Sequence, residues 1–177
     1  MLEPHDIRWS KEFADLHAIY IEALGPLALR IEHVGSTSVP DLLAKPILDI
    51  DIVISGYEDF PQVAKALERL GYFHNGDQGI PEREAFKYTD EFTPHVSPPR
   101  KWMTHHLYVC PEDGREFRRH IAFRDALRGS VQLRREYEKL KISIASRSDG
   151  DRTKYAIIKE DECRKFIEEI VEEDGAK

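Results

Sequence analysis

The sequence predicts an α+β fold, in which a mixed β-sheet carries helices on one face and a helical segment follows the sheet. Three observations lead to this prediction. Short strands are predicted within the first 110 residues, two amphipathic helices lie among them, and the hydrophobic period becomes helical from Gly114 onward. With 177 residues the chain can bury a full core, and we expect residues 1–177 to form a single domain.

The first elements are a helix, a strand and a tight turn. Apolar residues recur at spacings of three and four and predict a helix that ends near Gly25; they are Trp9, Phe13, Leu16, Ile19, Tyr20 and Ala23. Alternation from Leu27 to Val34 predicts a strand that runs into the turn Gly35-Ser36-Thr37-Ser38. We expect Ser38 or Asp41 to cap a short helical turn that reaches Ala44.

The segment from Pro46 to Ile54 is the clearest strand. Asp49 and Asp51 share one of its faces, and the opposite face is wholly aliphatic. A helix closed by Gly71 follows, and its apolar residues are Val63, Ala66, Leu67 and Leu70. Further strands are predicted at residues 72–74, 84–88 and 105–110, and three helices with breaks at 129–130 and 146–151 come after them.

Composition and charge exclude several classes of protein. The chain is 41 % hydrophobic and 33 % charged, which is too apolar for a disordered protein and too charged for a membrane protein. Its apolar runs reach four residues, as at Ala18 to Ile21, whereas a membrane-spanning helix needs about 20. Glu3 and Asp6 stand where a signal peptide would be basic. We therefore expect a cytoplasmic protein without membrane association.

The distribution of charge bears on whether the protein binds nucleic acid or another phosphate-bearing ligand. A net charge of −7 argues against nucleic-acid binding, which depends on phosphate neutralisation by Lys and Arg. Residues 115–141 nevertheless hold nine basic and four acidic residues. This basic stretch is compatible with a phosphate-bearing ligand, with RNA contact, or with an ordinary solvated helix face.

Two acids beside a Gly-Ser turn form the sharpest chemical pattern. Asp49 and Asp51 are two positions apart on a strand, so their carboxylates lie about 6 to 7 Å apart on one face. Such a pair can hold Mg²⁺, which takes its remaining ligands from water and substrate phosphates. Gly35 allows a phosphate to approach the backbone, and the hydroxyls and amides of Ser36, Thr37 and Ser38 can donate to its oxygens.

Each part of this pattern also has a purely structural reading. A Gly-Ser turn is usually only a turn, and alternating aspartates usually face water on an edge strand. Here the acids are embedded among aliphatic residues, where unpaired carboxylates would be costly without a compensating cation. Lys45, just before the strand, can neutralise a phosphate, pair with Asp49, or be a plain surface lysine.

The same residues resemble a known family. The segments 33–40 (HVGSTSVP) and 44–51 (AKPILDID) are similar to the signature of the GrpB family, whose members have the nucleotidyltransferase fold of the DNA polymerase beta superfamily. Further matches cover nearly the whole chain: Trp9, Arg83, residues 105–109 (HHLYV), residues 123–128 (FRDALR), Tyr137, Lys141, Tyr155 and Lys159.

The resemblance implies a nucleotidyltransferase-like mixed sheet with helices on one face, the acids on the open face, and a C-terminal helical segment. It also implies that nucleotide and Mg²⁺ bind at the Gly-Ser turn. A set of residues would then line the phosphates, whereas spacing alone is equally compatible with solvated helices. These residues are Arg83, Arg124, Arg128, Lys141, Tyr155 and Lys159.

One departure from the superfamily bears on catalysis. Active members generally carry a third carboxylate on a neighbouring strand, but residues 105–110 contain no acid. We expect His106 to occupy that position, as a general base, as a phosphate ligand when protonated, or as the mark of a site without turnover. Glu84 is a possible substitute ligand.

The resulting hypothesis is an Mg²⁺-dependent enzyme that moves a nucleotidyl group from an NTP to a small-molecule or protein acceptor. Asp49, Asp51 and His106 are its candidate catalytic residues. The alternative is a nucleotide-binding module of the same fold without activity.

Overall fold

The computed structural model describes residues 2–148 and 152–175. The chain divides into two compact units, residues 1–120 and residues 121–177. The first unit contains all strands of the sheet that the structure describes, and the second unit is helical where it is described. The single domain over residues 1–177 stays a prediction.

The first helix, α1 (Ile7–Leu24), ends where the sequence predicts. Asp6 caps its start, because its side chain accepts a hydrogen bond from the Arg8 amide at 2.8 Å. Gly25 ends it with a φ of 51°, a conformation that favours glycine. The buried stripe of the helix consists of Trp9, Leu16, Tyr20 and Leu24.

The sheet has five strands in the order β1-β2-β5-β4-β3. Only the central pair, β2 and β5, is parallel, and the other neighbours are antiparallel, so the predicted mixed sheet is confirmed. The helix α2 (Phe60–Arg69) follows β2. The strands are β1 (Arg30–Val34), β2 (Leu48–Ile54), β3 (Phe73–His74), β4 (Glu84–Lys87) and β5 (His105–Pro111).

The predicted helical turn that reaches Ala44 is wrong. The helical turn comes earlier, as a 3₁₀ turn at Ser36–Ser38, and Ala44 instead forms an isolated bridge with Glu3. Ser38 does not cap a following helix because its hydroxyl donates back to the Gly35 carbonyl at 2.7 Å. Asp41 has a φ of 61°, which a right-handed helix does not accept.

Strand β2 lies at the centre of the first unit, as its composition predicts. The side chains of one face are completely buried against α1 and α2; they are Leu48, Ile50, Ile52 and Ile54. Burying each of them stabilises the fold by about 1.5 to 3 kcal/mol. We call this side of the sheet the covered face, and the side that bears Asp49 and Asp51 the acid face.

The acid face is not wholly open. Helix α3 (Arg115–Gly129) starts in the first unit, and its Phe117 ring centroid lies 5.0 Å from the guanidinium of Arg30 on β1. Asp51 has no exposed surface. This corrects the expectation that both acids lie on an open face, and the reason is that the start of α3 packs over part of β2.

The second unit contains the rest of α3, α4 (Val131–Arg147) and α5 (Arg152–Gly175). Ser130 caps α4 by accepting a hydrogen bond from the Leu133 amide, which confirms the predicted break at residues 129–130. The rings of Tyr137 and Phe166 stack at 5.4 Å and join α4 to α5. Across the described residues, none of the helices combines the length and apolarity that a membrane crossing requires.

Candidate active site

The Gly-Ser turn touches the first acid of β2. Strand β1 ends at Val34, which lies opposite Asp49 in the antiparallel register, and Gly35 then adopts a φ of 69°. A β-carbon at position 35 would lie 2.2 Å from Oδ2 of Asp49, well inside van der Waals contact. Glycine is therefore required twice here, by its backbone conformation and by the carboxylate packed against it.

The hydroxyl groups of the turn have different partners. The Thr37 hydroxyl donates to the Ile47 carbonyl at 3.1 Å, and its oxygen lies 3.0 Å from Nε2 of His33. Ser38 donates to the Gly35 carbonyl, and both Thr37 and Ser38 are buried. These two hydroxyls hold the turn in shape, whereas Ser36 is partly exposed. Ser36 is thus better placed than Thr37 or Ser38 to meet a ligand.

Asp49 and Asp51 project from the same face of β2 in different environments. Asp49 is partly exposed, and its Oδ1 lies 2.9 Å from Nδ1 of His106. Asp51 is fully buried, and its Oδ2 lies 2.7 Å from Nδ1 of His120. Its other oxygen, Oδ1, is buried and has no hydrogen-bond partner among the residues that the structure describes. One carboxylate oxygen is therefore left for a further electropositive partner.

His106 lies on the acid face, because β5 pairs in register with β2 and places His106 beside Asp49. A carboxylate only accepts hydrogen bonds, so Nδ1 of His106 carries the proton of their bond. When the ring is neutral, Nε2 is then unprotonated. The side chain is 53 % exposed, so a substrate can reach it. An imidazole held in this way can accept a proton from a bound hydroxyl.

His120, on the second turn of α3, is a site residue that the sequence analysis missed. Burial lowers the pKa of His120, but the charge and hydrogen bond of Asp51, with smaller contributions from Glu116 and Asp49, outweigh it and raise the pKa above its usual value. A single histidine within a basic helix gave no signal of this contact. Only the packing of α3 against β2 reveals it.

Arg83 and Tyr108 border the acids on the other side. Tyr108 pairs in register with Asp51, and the Arg83 guanidinium lies 4.3 Å from the centroid of its ring. Burial and the charge of Asp49 raise the pKa of Tyr108 to about 12, so the phenol stays neutral. Nε of Arg83 is buried and has no hydrogen-bond partner within the described parts of the chain. Arg83 can thus donate to an anion on this face.

Glu84 on β4 and Glu32 on β1 lie on opposite faces of the sheet. Glu84 pairs with Val109, which puts it on the covered face, where it lies 2.6 Å from Nε2 of His74. It is therefore not a ligand beside Asp51. Glu32 on β1 pairs directly with Asp51 and is half-buried on the acid face. Glu32 was not predicted, because a third acid was expected only on the strand at residues 105–110.

The remaining predicted ligand residues are Lys45, Arg124, Arg128, Lys141, Tyr155 and Lys159. Lys45 is exposed just before β2. Arg124 and Arg128 on α3 lie near Asp125, and the buried ammonium of Lys141 on α4 lies 4.6 Å from the Tyr137 ring centroid. All three belong to the second unit. The side chains of Tyr155 and Lys159 lie outside the described residues, and phosphate binding by this set stays a prediction.

A cavity of about 240 Å³ lies at the start of β5, between residues 88–93 and 102–105. Its lining, among the described residues, includes His105 of the covered face but neither Asp49 nor Asp51. This cavity is thus separate from the acid pair of β2.

The donor set of the acid face suits Mg²⁺. That ion needs only one or two carboxylates and completes its octahedron with water and phosphate oxygens. Asp51 offers a buried oxygen without a partner, and Asp49 stands two positions before it on the same face. Within the described residues, no group of three or more His, Cys, Asp and Glu side chains has the geometry of a metal site. The two aspartates are therefore the residues that can hold the ion, together with substrate.

Comparison with relatives places the chain in a family. A family model described as GrpB protein matches residues 1–173. The UPF0157 protein YqkA of Bacillus subtilis is 30 % identical over 162 residues, which are 92 % of this chain and 44 % of YqkA. The chain thus spans less than half of that relative's length.

Solved structures show the same relationship. The crystal structure of the conserved protein GrpB from Enterococcus faecalis has a TM-score of 0.78 and 28 % identity, and the match covers 98 % of both chains. The Cid1 poly(U) polymerase bound to MgGTP has a TM-score of 0.53 and 11 % identity, over 82 % of this chain and 44 % of that chain. Identity this low shows the fold alone, which is that of the nucleotidyltransferases. The chain belongs to the GrpB family.

Proposed function

We propose that this protein is an Mg²⁺-dependent nucleotidyltransferase that moves an NMP group from an NTP to a small-molecule or protein acceptor. One observation carries the proposal. Asp49 and Asp51 project from one face of the central strand beside a glycine turn, and a buried oxygen of Asp51 lacks a partner among the described residues. The nucleotidyltransferase fold supports it, because Cid1 is described with bound MgGTP.

The two acids would hold Mg²⁺, and the ion would orient the phosphates and offset their charge. Ser36 and the backbone of the turn would face the phosphates, while Thr37 and Ser38 keep the turn in shape. Lys45 and Arg83 would supply cations. Arg83 has the stronger support, because its buried Nε has no partner among the residues described.

His106 would act as the general base. Asp49 holds its Nδ1–H, so Nε2 would take the proton of the acceptor hydroxyl while that oxygen attacks the α-phosphorus. The bond from the α-phosphorus to the bridging oxygen then breaks, and pyrophosphate leaves. A base held by a carboxylate contributes about a hundredfold or more to such a step.

A second candidate function is a nucleotide-binding module without turnover. The observation that favours it is His106 itself, which lies in register with Asp49 where active members of the superfamily generally carry a third carboxylate. In this case Mg²⁺ and NTP would still bind at the acids and the turn.

Label transfer from α-labelled NTPs separates the two functions. Each of the four NTPs is incubated with Mg²⁺ and one of four acceptors: the protein itself, casein, a short RNA, or a metabolite extract of Bacillus subtilis. We expect labelled product, and we expect Asp49→Asn and Asp51→Asn to reduce it at least about a hundredfold. Asp113→Asn, an exposed acid on the turn before α3, is the matched control and should retain activity.

Other outcomes are equally informative. Mg²⁺-dependent NTP binding by calorimetry without labelled product would favour the binding module. Unchanged transfer in both aspartate variants would remove these acids from the mechanism.

A further inference from the structure

A chain of polar contacts leads from Asp51 into the first turns of α3. Oδ2 of Asp51 lies 2.7 Å from Nδ1 of His120, Nε2 of His120 lies 3.7 Å from Oε1 of Glu116, and that oxygen lies 2.7 Å from an Arg119 guanidinium nitrogen. The side chains of the three helix residues are largely buried, with exposures of 12 to 19 %. Four side chains therefore form one largely buried cluster.

The network gives the two oxygens of Asp51 different roles. His120 donates to Oδ2, and Oδ1 remains buried without a partner among the described residues. A buried carboxylate without this bond could rotate about its last side-chain torsion and exchange the two oxygens. The bond to His120 therefore holds Oδ2 and leaves Oδ1 as the carboxylate oxygen without a partner among the described residues.

An acid on α3 and a tyrosine ring on β5 also lie around the His120 imidazole. Glu116, one turn earlier on α3, lies beside Nε2, and Arg119 neutralises that glutamate. The centroid of the Tyr108 ring lies 6.4 Å from the centroid of the imidazole. The imidazole therefore lies between an acid on the strand, to which it is hydrogen-bonded, and an acid on the helix.

We propose that His120 is a positioning residue that fixes the Asp51 carboxylate so that Oδ1 is presented to the metal ion of the proposed function. Glu116 lies beside the imidazole, with its Oε1 3.7 Å from Nε2, and Arg119 pairs with that glutamate. The inference rests on the proposed function for the identity of the ion, but not for the orientation of His120. In this proposal a histidine on α3 orients the metal-binding carboxylate, and β5 supplies no third carboxylate.

The geometry of the imidazole suggests a matched set of substitutions. The amide nitrogen of asparagine lies at the same distance from the main chain as Nδ1 of histidine, whereas that of glutamine corresponds to Nε2. His120→Asn therefore keeps a donor for Asp51, and His120→Gln removes it with a similar polarity. His17→Asn and His17→Gln, on α1, are the control pair.

The first measurement uses the protein without metal. Nitrogen-15 NMR of labelled histidine reports which ring nitrogen carries a proton, and we expect Nδ1 of His120 to be protonated and its signal to be lost in His120→Asn. A His120 ring whose Nδ1 is unprotonated would overturn the inference whatever the function of the protein.

The second measurement is Mn²⁺ affinity, read by electron paramagnetic resonance in the presence of a non-hydrolysable ATP analogue. Loss of a hydrogen bond behind a metal ligand weakens metal binding about 10- to 100-fold, and we expect this loss in His120→Gln. We expect His120→Asn and both His17 variants to bind close to the unsubstituted protein. Thermal unfolding of each variant separates a change in affinity from a change in folding.

The outcomes distinguish two failures. Equal Mn²⁺ affinity in His120→Asn and His120→Gln, with normal binding by the unsubstituted protein, overturns the positioning role and leaves the proposed function intact. No Mn²⁺ binding by the unsubstituted protein overturns the metal site of the proposed function, and this inference with it.

Discussion

Both faces of the sheet carry buried histidines in polar networks, but the two networks differ in how completely their atoms are paired. On the covered face the Tyr20 hydroxyl contacts that of Tyr72, which contacts Nε2 of His105, and Nδ1 of His105 meets the Met103 carbonyl. Each bond is between 2.7 and 2.9 Å. On the acid face, Oδ1 of Asp51 and Nε of Arg83 are buried without hydrogen-bond partners in the described chain.

This difference separates a structural network from a candidate site. A buried polar group without a partner costs about 1 to 3 kcal/mol, so a network used only for stability is expected to pair all its atoms. The network of Tyr20, Tyr72 and His105 does so. The acid face keeps a carboxylate oxygen and a guanidinium nitrogen available, which is the arrangement expected where a ligand supplies the missing partners.

The largest expected effect tests how closely the acid face is packed. Gly35→Ala should destabilise the protein by about 4 kcal/mol, because it combines a strained backbone with a collision against the Asp49 carboxylate. Gly76→Ala is the control, since Gly76 has a similar φ of 68° with no atom within 4 Å of its would-be β-carbon. It should cost about 1 kcal/mol. Urea denaturation measures both losses, and equal losses would contradict the close approach.

The next effect is a pH dependence of the free energy of unfolding, which arises from His105 on the covered face. Burial lowers the pKa of His105 to about 4, against a usual value of about 6.5. As the pH falls from 6.5 to 4, the unfolded chain binds a proton at this residue and the folded chain does not, so stability is lost over this window. The loss is of the order of 3 kcal/mol.

The same titration can be isolated by substitution. The difference in unfolding free energy between the unsubstituted protein and His105→Gln should shrink as the pH falls through this window, because the variant lacks the titrating group. NMR titration of His105 should give a midpoint near 4. A midpoint at or above 6.5 would show that water reaches the covered network, which is the hydrogen-bonded set of Tyr20, Tyr72 and His105 on the covered face.

A smaller effect is expected when the covered network is cut in the middle. Tyr72→Phe leaves the Tyr20 hydroxyl and Nε2 of His105 without their shared partner, so it should cost about 2 kcal/mol. Tyr57→Phe is the control, because the Tyr57 hydroxyl makes one longer bond to Glu84 at 3.3 Å near the surface. Thermal unfolding compares the two variants, and a smaller loss in Tyr72→Phe than in Tyr57→Phe would contradict a tightly paired network.

The smallest expected effect concerns His33, which links the covered face to the Gly-Ser turn. Nε2 of His33 lies 3.0 Å from the Thr37 hydroxyl, and the ring stacks on Phe13. Glutamine can place an amide nitrogen where Nε2 lies, and asparagine cannot reach it. His33→Asn should therefore be less stable than His33→Gln by about 1 kcal/mol in urea denaturation. Equal stabilities would mean that this bond does not hold the turn.

Several parts of the fold were predictable because they depend on local pattern. Alternation along residues 46–54 predicted both the central strand and the face on which Asp49 and Asp51 lie. The helical period predicted α1, and the Gly-Ser pair predicted the break before α4. The helical turn was misplaced, because a serine suited to capping formed its hydrogen bond within the preceding turn instead.

The sequence by itself determined which side chains share a face, because the two-residue period of a strand is a property of the backbone alone. It therefore identified the acids, the turn and His106 as candidates. The tertiary structure alone decided what those side chains touch. His120 reaches Asp51 from a helix 69 residues further along the chain, and Glu32 lies beside Asp51 because two strands pair in one register. Such contacts depend on the packing of distant segments, which no local pattern encodes.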